Sequence, residues 1–118
     1  MKIVIAGAGD VGVHLTRMLA GENHEITLID SREQRLKEIA AIADIRTFTG
    51  LASSVDTLMR AGAGLADLFI SVTSNEQANV MSAIISKSLG ARKCLARIDN
   101  LEYLDEDISN MPPQLIVR

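Results

Sequence analysis

The chain predicts an α/β fold: an open, doubly wound, Rossmann-like parallel sheet with strand order 3-2-1-4-5. Three observations lead there. Five short runs rich in Ile, Val and Leu alternate with longer stretches of helical apolar spacing. A glycine-rich hexamer follows the first run at once. The 118 residues, 47% apolar and 23% charged, suit one compact domain with a core of its own. Strands separated by helices must run parallel, because each helix carries the chain back across a face of the sheet.

The elements follow in order. Lys2 to Ala6 is short, apolar and ends at glycine, as a strand buried on both faces does. Asp10 to Ala20 places Val11, Leu15, Met18 and Leu19 at helical spacing, and Gly21 stops that helix. Glu25 to Ile29 is the second strand. Ser31 is the expected N-cap of a helix through Ile42, with Leu36, Ile39 and Ala40 on its inner face. Ile45 to Thr49 is the third strand. Ser53 or Ser54 caps a helix to Ala61, ended by Gly62 and Gly64. Leu68 to Val72 is the fourth strand. Asn75 to Leu89 is a long helix closed by Gly90, and its Val80, Met81, Ala83, Ile84 and Ile85 surround more than one face. That breadth fits a wide core face or packing against another subunit. Arg92 to Ile98 is the fifth strand. One or two further helical turns are expected over Leu101 to Ile108, and Pro112 and Pro113 bar a helix past Met111.

Composition excludes several classes. Cys94 is the one cysteine, so no disulfide framework exists, and a lone thiol suits a reducing compartment. Twelve basic against 15 acidic residues leave a net charge of -3, and aromatics are only 3%. Nucleic-acid binding would want a basic surface with stacking rings, so none is expected. No apolar run approaches the ~20 residues of a membrane span. The opening Met1 to Ala6 imitates a signal peptide, but Gly7, Gly9 and Asp10 break the stretch too early. A metal site is not expected, since His14 and His24 stand ten residues apart and Cys94 has no second thiol.

Gly7-Ala8-Gly9-Asp10-Val11-Gly12 is G-x-G-x-x-G between a buried strand and an amphipathic helix. Gly7 permits a tight turn, Gly9 lets a pyrophosphate approach the backbone, and Gly12 lets helix and strand pack closely. The helix start offers free N–H groups and partial positive charge to phosphates. The Asp10 side chain is expected to point away from such an anion. Asp30 ends the second strand 18 residues after Gly12 (30 − 12), near the ~20 that ribose recognition requires. Its charge would repel a 2′-phosphate and so favours NAD or NADH over the phosphorylated dinucleotide. ATP, ADP or AMP offer it the same ribose. Ser31 and Arg32 follow it and are counted with the cofactor-binding residues. An arginine there can greet a 2′-phosphate, though Arg32 and Arg35 also suit the solvated face of a helix.

Together with Thr49-Gly50, the run Ala63 to Glu76, Asn79, and Leu95-Ala96-Arg97-Ile98, these motifs strongly resemble the N-terminal nucleotide-binding domain of the TrkA family, also called RCK or KTN domains. The resemblance covers Met1 to about Leu104. It implies that the backbone of Gly7 to Val11 holds phosphates, Asp30 the adenosine ribose, and Gly50 a close approach beside the adenine. Thr73 and Ser74 would lie across the switch point, and Arg97 would approach the phosphates or the second ribose, with an ion pair to Asp99 as its plainer role. It further implies a cytoplasmic regulatory subunit at the inner face of the plasma membrane, partnered with a potassium-translocating membrane subunit and assembled as a homo-oligomer. Family members continue through a crossover helix and a sixth strand. The tail 105–118 is too short for both and is read as truncated or atypical, after a domain over 1–104.

Three function classes follow. A sensor would pass nucleotide occupancy to a transporter. An NAD-dependent oxidoreductase fragment would need an acid–base group, yet His14 and His24 lack a charge partner nearby and Tyr103 has Asp107, not lysine, four residues on. A structural module would bind no ligand. The sensor, not an enzyme, is the expected class.

Overall fold

The computed structural model describes residues 1–99 and 116–117. Its elements are β1 (Lys2–Ala6), α1 (Asp10–Ala20), β2 (Glu25–Asp30), α2 (Glu33–Ala40), β3 (Arg46–Thr49), α3 (Val55–Arg60), a 3₁₀ turn (Ala63–Leu65), β4 (Leu68–Ser71), α4 (Glu76–Leu89), β5 (Lys93–Arg97) and β6 (Ile116–Val117). The strands form one parallel sheet in the order β3-β2-β1-β4-β5-β6. The predicted order 3-2-1-4-5 therefore holds, with the topological switch point between β1 and β4.

Alternation along the central strands builds two cores on one sheet. Ile3 and Ile5 of β1, Ile26 and Leu28 of β2 and Ile70 of β4 face Leu36 and Ile39 of α2, with Leu15 and Leu19 of α1 packed against them. Val4, Phe69, Cys94 and Ala96 face the other way, toward Leu58 of α3 and Ala83 of α4. Burial pushes the Cys94 thiol up to about 11, despite the nearby Lys87 charge, so it stays protonated. At the opposite end from the strand tips, Asp67 accepts the Lys2 N–H at 2.9 Å and locks the start of β4 to β1.

Several elements depart from expectation. Ser31 does not cap α2. The Asp30 carboxylate takes the Arg32 N–H at 2.8 Å in a side-chain turn, so the helix starts at Glu33 behind Arg32, with no side-chain cap. That helix ends at Ala40, and Ala40 and Ile42 are exposed. On α1 the inner face is Val13, Leu15, Leu19 and buried Gly12 and Thr16, while Val11 and Met18 face solvent. Of the two serines offered as a cap for α3, Ser54 serves, accepting the Thr57 N–H at 3.3 Å. A sixth strand is present, where the tail is read from sequence as too short for a crossover helix and a strand: Ile116 and Val117 pair in parallel with Ala96 and Arg97. The helical turns expected over Leu101 to Ile108, and the boundary at 104, lie outside the described residues.

Candidate functional site

A cleft of about 460 Å³ opens at the carboxyl ends of the strands, over the switch point. Gly7, Ala8 and Gly9 line it after β1, Asp30, Ser31 and Arg32 after β2, Gly50 to Ser53 after β3, and Thr73, Ser74 and Asn75 after β4. Each glycine of the first loop has a separate physical reason. Gly7 sits at φ 116°, and a Cβ there would stand 2.9 Å from the Thr73 nitrogen. A Cβ on Gly12 would fall 1.7 Å from the Gly7 carbonyl oxygen, so only glycine lets α1 start this close to β1. Gly9 differs. Its backbone is extended and a Cβ would meet nothing within 4 Å, so the fold itself asks for no glycine there. What its missing side chain leaves is open space above the loop, at the start of a helix with no side-chain cap. The first N–H groups of α1 lack partners within the helix and are free to receive an anion. Such a cradle fits the phosphates of a nucleotide.

Asp30 faces this loop. It is 8% exposed and accepts four hydrogen bonds: from the Ala8 N–H at 2.8 Å, the Arg32 N–H at 2.8 Å, Arg32 Nε at 2.9 Å and Arg32 Nη2 at 3.1 Å. Burial alone would raise its pKa. The Arg32 side chain, the two backbone N–H groups and the guanidinium charge together outweigh burial and hold the carboxyl below its ordinary value. The same pairing raises the Arg32 pKa. Arg35 reaches the loop as well, its Nε donating to the Ala8 carbonyl at 3.0 Å. The loop is thus tied through both backbone groups of one residue, Ala8, its N–H to Asp30 and its C=O to Arg35.

Residues 3–109 match the family model of the TrkA-N domain. The chain belongs to the TrkA-N family. Curated relatives agree. A Trk system potassium uptake protein TrkA homolog of Archaeoglobus fulgidus is 37% identical over 96% of this chain and 26% of its own length. The Trk system potassium uptake protein TrkA of Vibrio alginolyticus is 40% identical over 90% of this chain and 23% of its own. The chain thus spans about a quarter of the length of these relatives. Among solved structures, the TrkA-N domain of the inner membrane protein ybaL of Escherichia coli superposes with TM-score 0.85 at 17% identity, over 98% of this chain and 85% of that one. The Kef C-terminal domain of Shewanella denitrificans in its AMP-bound form gives 0.75 at 18%, over 100% and 71%. The GsuK channel bound to NAD gives 0.79 at 16%, over 98% and 21%. At these identities the structures show a common fold.

In this TrkA-N chain the cleft gathers Gly7, Ala8, Gly9, Asp30, Ser31, Arg32, Gly50, Thr73 and Ser74 from the expected set. Asp10 and Val11 are exposed on the first turn of α1 and do not line it, and Gly12 lies buried beneath it. Arg97 also stands outside the lining. Its guanidinium pairs with Asp99, Nη2 to Oδ2 at 3.3 Å. Gly50 lines the cleft and also answers to packing, since a Cβ there would stand 2.5 Å from Thr57 Oγ1 of α3. Sequence reasoning gave no role to Asn79, which proves central. Fully buried on α4, it accepts the Thr73 N–H at 2.9 Å and the Thr73 hydroxyl at 2.6 Å, and donates to the carbonyls of Thr73 and Arg97, both at 3.0 Å. It holds the loop after β4 in place. Leu51, Ala52 and Ser53 were missed too; their signal was only that they follow Gly50. Among the described residues no cluster of His, Cys, Asp and Glu suits a metal ion.

Proposed function

We propose that this chain is the nucleotide-sensing domain of a potassium uptake system, with NAD or NADH as its ligand and regulation rather than turnover as its role. The observation that carries the reading is the pairing of an open, uncapped glycine cradle at Gly9 with a buried, ionised Asp30 on the neighbouring strand. The first suits a diphosphate and the second a ribose. The relatives' names support potassium uptake as the setting, and a potassium-translocating membrane subunit as the partner. The domain would then work in the cytoplasm at the membrane's inner face. No described helix is long and apolar enough to cross a membrane. Exposed Met81 and Ile84 on α4 support a contact with a second copy.

ATP or ADP sensing is the second reading, because Asp30 recognises a sugar that all these nucleotides share. It is favoured by the fold-mate seen with AMP. Titration calorimetry with NAD⁺, NADH, ATP, ADP and AMP separates the two. Asp30→Ala should weaken the best nucleotide by about 1.5–3 kcal/mol through loss of charged hydrogen bonds. Failure of every nucleotide to bind would overturn the reading.

A further inference from the structure

A carboxylate offers about four lone-pair positions, and in Asp30 all four are taken. Two partners, the N–H groups of Ala8 and Arg32, belong to the backbone and stay. The other two are Nε and Nη2 of one side chain, which lays its fork across both carboxylate oxygens at 2.9 and 3.1 Å. That side chain is 60% exposed and rises from the rim of the cleft. The vicinal hydroxyls of a ribose are also a pair of donors suited to the two oxygens of one carboxylate. We propose that Arg32 is an internal competitor of the ribose: its guanidinium fills the places on Asp30 that a nucleotide's sugar must take, and so lowers affinity for every ribose ligand.

This inference rests on the nucleotide reading above and adds a specificity-determining residue to it. Arg32 is not offered to an anion in this arrangement. Its fork is spent on Asp30, whose charge neutralises it. A ribose can reach the carboxylate only as the fork lets go, and the free energy of the fork is subtracted from the binding free energy. Ordinary electrostatics predicts the reverse, since a cation near a phosphate site should strengthen binding. The two accounts therefore give opposite signs when Arg32 is removed.

The test is calorimetry on the wild-type chain, Arg32→Ala and Arg32→Gln, with AMP, 2′,3′-dideoxy-AMP and NADH as probes. The Arg32 side chain is exposed, so its removal should leave the fold intact, and melting of each variant is recorded alongside. Arg32→Ala should tighten AMP and NADH about three- to tenfold, the range of a forked, half-exposed ion pair. Dideoxy-AMP, which lacks the competing hydroxyls, should bind the variant no better than the wild type. Arg32→Gln, with no charge and no fork, should behave as Arg32→Ala. Equal or weaker AMP binding in both variants overturns the competitor role while the nucleotide reading stands. An equal gain for the dideoxy ligand overturns it as well. If no probe binds any of the three proteins, the nucleotide reading falls and the inference falls with it.

Discussion

Gly9 and Gly12 share one motif but answer to different forces, and substitution separates them. A methyl group on Gly12 would collide with the Gly7 carbonyl oxygen at 1.7 Å, and both atoms belong to the rigid junction of β1 and α1. Gly12→Ala should cost about 3 kcal/mol or more of stability, the upper range of overpacking. A methyl group on Gly9 meets nothing. Gly9→Ala should cost about 1 kcal/mol or less, the difference between glycine and alanine at a helix N-cap. Its effect belongs to the ligand: the methyl group projects into the cradle, and nucleotide affinity should fall by about tenfold or more. Urea denaturation and calorimetry on the two variants check this. Equal affinity in Gly9→Ala would remove the loop from the site. The glycine spacing and Asp30 are visible in the sequence because backbone approach and strand-end position are set by distance along the chain. The Arg32 fork is not visible. It arises from the turn in which Asp30 captures the Arg32 N–H, and that turn brings the guanidinium back over the carboxylate.

At the scale of elements, α4 decides where the second half of the cleft lies, and it does so through Asn79. The amide oxygen accepts from Thr73, and the amide nitrogen donates to two carbonyls, at the ends of β4 and β5. Asn79→Ala removes all of these at a fully buried position and should cost about 3 kcal/mol, mainly from the unsatisfied groups left behind. Asn79→Asp is the sharper variant. It keeps the shape and the acceptor for Thr73, but turns an oxygen toward the carbonyls of Thr73 and Arg97. At pH 7 it should be at least as unstable as Asn79→Ala, as measured by urea midpoint; near-native stability would show that the amide nitrogen does not matter. Strands β1 and β2 and helix α1 were legible because apolar runs and glycine stops mark them strongly. The cap of α2 was misplaced because two side chains, Ser31 and Asp30, compete for nearby N–H groups, and sequence does not rank them. Asn79 had no periodic signal at all, since a buried polar residue is explained only by the loops that meet it.

Across the whole molecule, the two cores cannot be separated. Val4 serves one face and its neighbours Ile3 and Ile5 the other, and Phe69 and Ile70 divide in the same way. Losing either core exposes the strands that carry both, so β1, β2 and β4 should open together. Strand β3 is an edge strand with half-buried Phe48 as its one sheltered residue, and it should open on its own at lower cost. The cleft is lined from the ends of β1, β2, β3 and β4, so a nucleotide bound there would touch both halves of the sheet. Ligand at 100 times its dissociation constant stabilises the folded state by about 2.7 kcal/mol, which for a chain of this size raises the melting temperature by about 8–15 °C. Hydrogen exchange should show where that stability goes. Amides of β1, β2 and β4 that exchange by global opening should slow by a common factor of about 100, while those of β3 that open locally slow less. Central strands left unslowed at that occupancy would mean that the nucleotide does not bind across the ends of β1, β2 and β4, and the cleft would not be its site.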